Sequence, residues 1–174
     1  MSDLFEKTIY LNSPDNKYRY ALGTKGEKTL YCFGINPSTA TPEKYDPTIT
    51  RVSQTANKMG FDSFVMLNLY PLRATNPDDL PITPDWKEHN RNIKAILKVM
   101  KSRPTIWVAW GDLIHKRSWL ISYRDSILLN VLPIYRKDIH FVRMGELTKS
   151  GNPRHPLYLK YQPFSEYCFG SNKS

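Results

Sequence analysis

The sequence predicts an α/β domain, a three-layer sandwich with a central, mostly parallel four-stranded sheet. Two observations carry this. Four short apolar runs, rich in β-branched and aromatic residues, each end at a turn signal, as buried strands do. Between them lie stretches with apolar residues at helical spacing, the pattern of parallel strands joined by covering helices. The 174 residues suit one domain, long enough to bury about two-thirds of its unfolded surface without metal or disulfide help. Within 1–174 we expect an edge hairpin in 1–28, a core over 29–160 and a tail over 161–174.

The elements follow in order. KTIYLN and YRYALG read as the N-terminal hairpin or edge pair. TLYCFGI (29–35) is the first apolar run. DPTITRVSQTANKMG (46–60) opens with Asp-Pro, closes on Gly60 and spaces Ile49, Val52, Ala56 and Met59 as a helix does. FVMLNLY (64–70) is the second run. PDWKEHNRNIKAILKVMKS (84–102) is a helix with Ile93, Ile96, Leu97 and Met100 on one face and Pro104 beyond its end. TIWVAWG (105–111) is the third run, SWLISYRDSILLNVL (118–132) a third helix, and DIHFVRM (138–144) the fourth run. The last ten or so residues read as frayed.

Bulk properties narrow the function. No apolar stretch reaches the roughly 18 residues of a membrane helix, and MSDLFEKTIY lacks a basic segment followed by an apolar run. A cytoplasmic location is the default expectation, with no membrane partner. Cys32 and Cys168 stand in no metal-type spacing and are read as reduced, buried thiols. The net charge of +9 is unevenly placed: residues 1–87 carry ten basic and ten acidic side chains, 88–160 fourteen basic and five acidic. Such asymmetry suits a polyanionic partner such as DNA, or a nucleotide, although a solvated basic helix face produces it too. There is no zinc spacing, glycine-rich phosphate loop or nucleophile elbow, so no cofactor is expected.

Ligands of an open parallel sheet settle beside the carboxyl ends of its strands. The polar segments there are GINPSTA, NLYPLRATNPDD, WGDLIHKR and LTKSGNPRHPLYL. In the first, Gly34 permits close backbone approach and Pro37 fixes a turn, so that Asn36 and the amides of Ser38 and Thr39 face a ligand or form an Asx turn capping the strand.

GINPSTA resembles the first motif of uracil-DNA glycosylases, in the Gly-Ile-Asn-Pro form of the mismatch-specific uracil and thymine glycosylases. VMLNLYPLRA is similar to the strand-end motif whose Asn, here Asn68, reads the edge of an extruded base. PDWKEHNRNIKAIL and WVAWGDLIHKR resemble the helix and the Trp-Gly strand that follow, and GNPRHPLYL the His-Pro loop. The strings NPSTA, DPTITR, NLYPLRATNPDDL, AWG and LTKSGNPRHPLYL are in turn similar to a bacterial and phage family of unknown function, numbered 1643, over roughly residues 29–160. The resemblance implies a glycosylase-like fold and a nucleobase pocket. It implies that Asn36 positions the hydrolytic water, that His155 contacts the base, and that the residues after it, Leu157 and Tyr158, enter the minor groove. Two departures stand out. An amide at position 36 cannot act as a general base, and the His loop lacks the Ser-Pro-Leu-Ser of the classical enzymes, leaving Leu157 as the only obvious wedge.

On these grounds the expected catalytic residues are Asn36, His155 and Asp46. The expected binding residues are Gly34, Ile35, Pro37, Ser38, Thr39, Asn68, Tyr70, Arg73, Arg154, Leu157 and Tyr158. Several have a structural alternative. Asn68 can instead tie down a turn, and Tyr70 can be core rather than a stacking platform. Asp46 before Pro47 is more commonly a helix N-cap than a holder of water or sugar. Arg73 and Arg51 either meet phosphate or pair with Asp46, Asp78 or Asp79. Arg154 would favour a neutral His155. The expected activity is hydrolysis of the N-glycosidic bond of a modified, mismatched or deaminated base. The rivals are a silent base-binding module and an enzyme of free nucleotides.

Overall fold

The computed structural model describes residues 7–170. Its strands are β1 (Thr8–Asn12), β2 (Arg19–Thr24), β3 (Thr29–Gly34), β4 (Ser63–Asn68), β5 (Thr105–Val108), β6 (His140–Met144) and β7 (Phe164–Glu166). They form one sheet in the order β1-β2-β4-β3-β5-β6-β7. The four expected runs are its neighbouring parallel strands, β4-β3-β5-β6. The expectation of a four-stranded sheet is nevertheless corrected to a mixed sheet of seven. Three further pairings, β1–β2, β2–β4 and β6–β7, are antiparallel, because the N-terminal hairpin and the tail both extend the sheet.

Two helices cover opposite faces. Helix α1 (Pro47–Lys58) joins β3 to β4, and α2 (Trp86–Val99) joins β4 to β5. The two crossovers run in opposite directions along the sheet, so a right-handed connection puts their helices on opposite sides. The strands serve both faces by alternation. Tyr31 and Phe33 enter a core with Ile96, Leu120 and Tyr123, while Leu30 and Cys32 enter one with Ile49, Val52 and Ala56. Each helix starts where a carboxylate accepts orphan amides: Asp46 from Ile49 N at 2.9 Å, Asp85 from Lys87 and Glu88 N at 3.0 and 3.1 Å.

The third helix, α3 (119–135), is α-helical over Trp119–Asp125, widens to π geometry over Ser126–Val131 and ends as Leu132–Tyr135. Pro133 accounts for the widening. It has no N–H to donate, and its ring would press on the carbonyl four residues earlier in a regular helix.

Two expectations fail at the C-terminus. The tail is not frayed through residue 170: β7 pairs with β6, and Tyr167 and Phe169 pack beside Trp110, with ring centroids 5.9 and 6.3 Å away. Their rings pack against the core that holds Tyr31 and Phe33. Cys168, between them, faces outward, whereas Cys32 is buried as expected. Among the described residues, no helix is long and apolar enough to cross a membrane.

Candidate functional site

From β3 the chain crosses first to β4 on one side, then back to β5 on the other. The loops leaving β3 and β5 therefore diverge and open a crevice at the carboxyl ends of these strands. A pocket of about 150 Å³ lies there. An engineered apolar cavity of about that size takes up benzene, so the space matches one six-membered ring with small substituents.

Asn68 ends β4 opposite Gly34 in the parallel register. Its backbone carbonyl accepts from Asn92 Nδ2 of α2 at 2.8 Å, which pins the strand end to the helix. The side chain lines the pocket, is 1% exposed, and has no protein partner at either Nδ2 or Oδ1. Buried polar groups are normally paired, and an unpaired amide costs free energy. One side chain thus offers the pocket both a donor and an acceptor.

Asn36 lies in the loop after β3, with its Nδ2 among three carbonyls: Ala74 at 2.8 Å, Pro37 at 3.0 Å and Leu72 at 3.3 Å. Three acceptors fix which end of the amide is nitrogen. The nitrogen is thereby committed to holding the β3 and β4 loops together, and Oδ1 is the end left free, as an acceptor. Ser38 Oγ adds a 2.8 Å contact to Thr75 Oγ1 across the same two loops.

His155 reaches the pocket from the opposite wall. Its Nδ1 accepts from Leu157 N at 3.3 Å, so in the neutral ring the proton sits on Nε2. Burial lowers its pKa below 6.5, and Asp46, the next largest influence, raises it in part. The ring is accordingly a neutral Nε2–H donor at pH 7.

A carboxylate missed in the sequence holds this loop. Asp112 Oδ1 accepts from Thr148 Oγ1 at 2.6 Å and from Asn152 Nδ2 at 2.8 Å, and these bonds lower its pKa. Gly111, at φ +64°, donates its N–H to Pro153 O at 2.8 Å. The Trp-Gly-Asp segment after β5 thus anchors the segment that carries His155. Apposition of WGD and TKSGNP is a tertiary fact; the only hint in sequence was that both follow strands.

The pocket lining brings together Gly34, Ile35, Asn36, Pro37, Ser38, Asp46, Asn68 and His155. It adds Arg19, Thr48, Met66, Thr75, Trp110 and Leu113, which sequence reasoning missed. Arg19 was hidden because it sits in the edge hairpin, far in sequence from every motif. Asp46 is the N-cap of α1, the commoner of its two expected roles, and it also lines the pocket.

Other expected residues lie elsewhere. Tyr70 is core, not a stacking platform: its ring packs on Trp119 at 5.0 Å and Tyr123 at 5.8 Å on the far face of the sheet. Arg73 lies outside the pocket lining and, instead of a carboxylate, meets the carbonyls of Ser38 and Ala40, at 2.7 and 3.2 Å, and Tyr10 Oη at 2.5 Å. Arg154 is used on Glu146 O at 2.8 Å, and Arg51 donates to Leu159 O. Thr39 is exposed and outside the pocket lining. Leu157 and Tyr158 also lie outside it, but project from the same loop as His155, 40% and 83% exposed.

The basic excess is divided. Lys98 and Lys101 flank a cavity at the opposite end of the sheet with Lys25, and Lys116 near the pocket is paired with Asp78.

Residues 19–157 match the family described as protein of unknown function (DUF1643). No curated protein and no solved structure matches the chain.

Proposed function

For a chain that belongs to the DUF1643 family, we propose a nucleobase-recognising function, with N-glycosidic bond hydrolysis on a modified, mismatched or deaminated base as the reaction. One observation carries the proposal: the buried Asn68 amide, unpaired at both ends, on a pocket sized for one ring. An imide edge, with N–H beside C=O, complements that donor and acceptor pair as a base's pairing edge does. The similarity of the strand-end motifs to those of uracil-DNA glycosylases points the same way.

In this reading Asn36 Oδ1 accepts a hydrogen bond from a water molecule and orients it without deprotonating it. The N-glycosidic bond then breaks heterolytically, the base leaving as an anion from a positively charged, oxocarbenium-like sugar; the water adds to that sugar carbon, and the proton it sheds passes to the base. His155 Nε2–H donates to the base oxygen where negative charge develops, and a neutral donor of this kind stabilises an anionic leaving group. Leu157 and Tyr158, exposed beside it, occupy the place left by an extruded base.

The test is a panel of oligonucleotides carrying uracil, thymine mismatches and hydroxymethylated or glycosylated pyrimidines, incubated with the pure protein and then cleaved at abasic sites. Cleavage at one member, lost in Asn68→Leu, is expected. Base-dependent binding with no abasic product across the panel would overturn hydrolysis. It would favour instead a binding module, the second reading. That reading has its own support: Asp46, the only carboxylate among the described lining residues, uses its Oδ1 to cap α1.

A further inference from the structure

Arg19 is the charged group of the pocket that base reading and water placement leave unused. It opens β2, is 2% exposed and belongs to the pocket lining. A single side-chain hydrogen bond holds it, from Nη1 to Ala40 O at 3.2 Å, and Nε has no protein partner. Arg73 Nη1 approaches the same carbonyl at 3.2 Å, so two cations converge on one oxygen. Among the described residues no carboxylate lies within ion-pair distance of either. Asp46, and after it Tyr10, acts on Arg19 electrostatically without a direct ion pair, and Asp46 Oδ1 caps α1.

Burial, with Arg73 second, lowers the Arg19 pKa to about 10, which still leaves it charged at pH 7. Buried charges ordinarily persist only when paired. Arg73 donates to two carbonyls, Tyr10 and Asn16, although its Nε, like that of Arg19, has no protein partner. Arg19 has a single acceptor and lines the same pocket as Asn68.

We propose that the ligand bears an anionic oxygen group, carboxylate or phosphate, that docks on Arg19, so that the pocket prefers an acidic pyrimidine derivative to neutral uracil or thymine. The inference rests on the base-reading role given to Asn68 above. Charge-assisted contacts to guanidinium are the strong ones, and a planar fork fits a carboxylate or phosphate better than it fits a lone carbonyl.

The experiment is titration calorimetry on the full chain, wild type and Arg19→Gln. The ligands are uracil, thymine, uracil-5-carboxylate, uracil-6-carboxylate, deoxyuridine, its 5′-monophosphate and inorganic phosphate. At least one acidic ligand is expected to bind about tenfold or more tightly than its neutral counterpart, and Arg19→Gln is expected to abolish the difference. An advantage for a carboxylated base places the anion on the ring, and an advantage for the monophosphate over deoxyuridine places it on the sugar. Equal binding of acidic and neutral ligands overturns the inference and leaves base reading intact. Arg19-dependent binding of inorganic phosphate, with no base bound, supports the inference and overturns base reading; no binding by any ligand overturns both. Should Arg19→Gln fail to fold, the wild-type comparison still decides, and Arg19→Lys, which keeps the charge, is expected to retain part of the preference.

Discussion

Gly34 and Asn68 face each other across the β3–β4 register, and a methyl group on Gly34 would sit 3.2 Å from Asn68 Oδ1 and 2.8 Å from Met66 Cε. Glycine is needed here for space: its φ is not positive, unlike that of Gly111. A side chain at the end of β3 would press on Asn68 and Met66, both of which line the pocket.

Gly34→Ala should therefore crowd the pocket beside Asn68 without unfolding the sheet, since the nearest atom it meets is the flexible end of Met66. Any ligand that raises the melting temperature of the wild type should no longer do so. Unchanged ligand stabilisation in the variant would show that the ligand sits elsewhere.

Asn68→Leu should raise the stability of the ligand-free protein by about 1 kcal/mol, because a buried amide without a protein partner is exchanged for an apolar group of similar size. Base binding should vanish in the same variant. Denaturant titration and calorimetry together check the opposed signs. A variant that is both less stable and still binds would return Asn68 to a purely structural role.

Asp112→Ala removes the acceptor of Thr148 and Asn152. The carboxylate is at the surface, so the loss in stability should be small, about 1 kcal/mol. Its larger effect should be on the loop: proteolysis between residues 146 and 155 should quicken, and ligand affinity should fall because His155 loses its anchor. Proteolysis and affinity unchanged from the wild type would leave Asp112 without this role.

His89 predicts an acid limit. It is 1% exposed, stacked on Tyr123 at 4.0 Å and paired through Nε2 with Ser126 Oγ at 2.9 Å, and burial lowers its pKa from 6.5 to about 4. The unfolded chain takes up a proton near pH 6.5 while the folded one resists, so the contribution is full above pH 6.5 and is lost as pH falls toward 4. The span corresponds to at most about 3 kcal/mol. Urea unfolding from pH 7 to 4 should show this fall in the wild type and a shallower one in His89→Phe. His155, shifted in the same direction, should keep ligand binding flat on going from pH 7 to below 6.5.

The four parallel strands and α1 to α3 were legible because each carries its own periodicity and its own stop: Asp46 and Asp85 cap what they precede, and Pro104 follows α2. The edges were not. β7 is three residues long, too short for alternation to register, and its pairing with β6 is bought by tertiary contact of Tyr167 and Phe169 with Trp110. The site divided the same way. Asn36, Asn68 and His155 were visible as polar residues just past apolar strands, whereas Tyr70, two residues after Asn68, points into the opposite core.

What the sequence determined by itself is thus the alternation of strand and helix and the position of each polar strand end, since both depend on neighbours within a few residues. What only the tertiary structure decided is which of those ends share one cavity. The reversal of strand order between β3 and β5 opens the crevice, the antiparallel return of β2 brings Arg19 beneath it, and Asp112 draws the His155 loop across it. Each of these joins residues tens of positions apart, where charge and space, rather than local propensity, choose the partner.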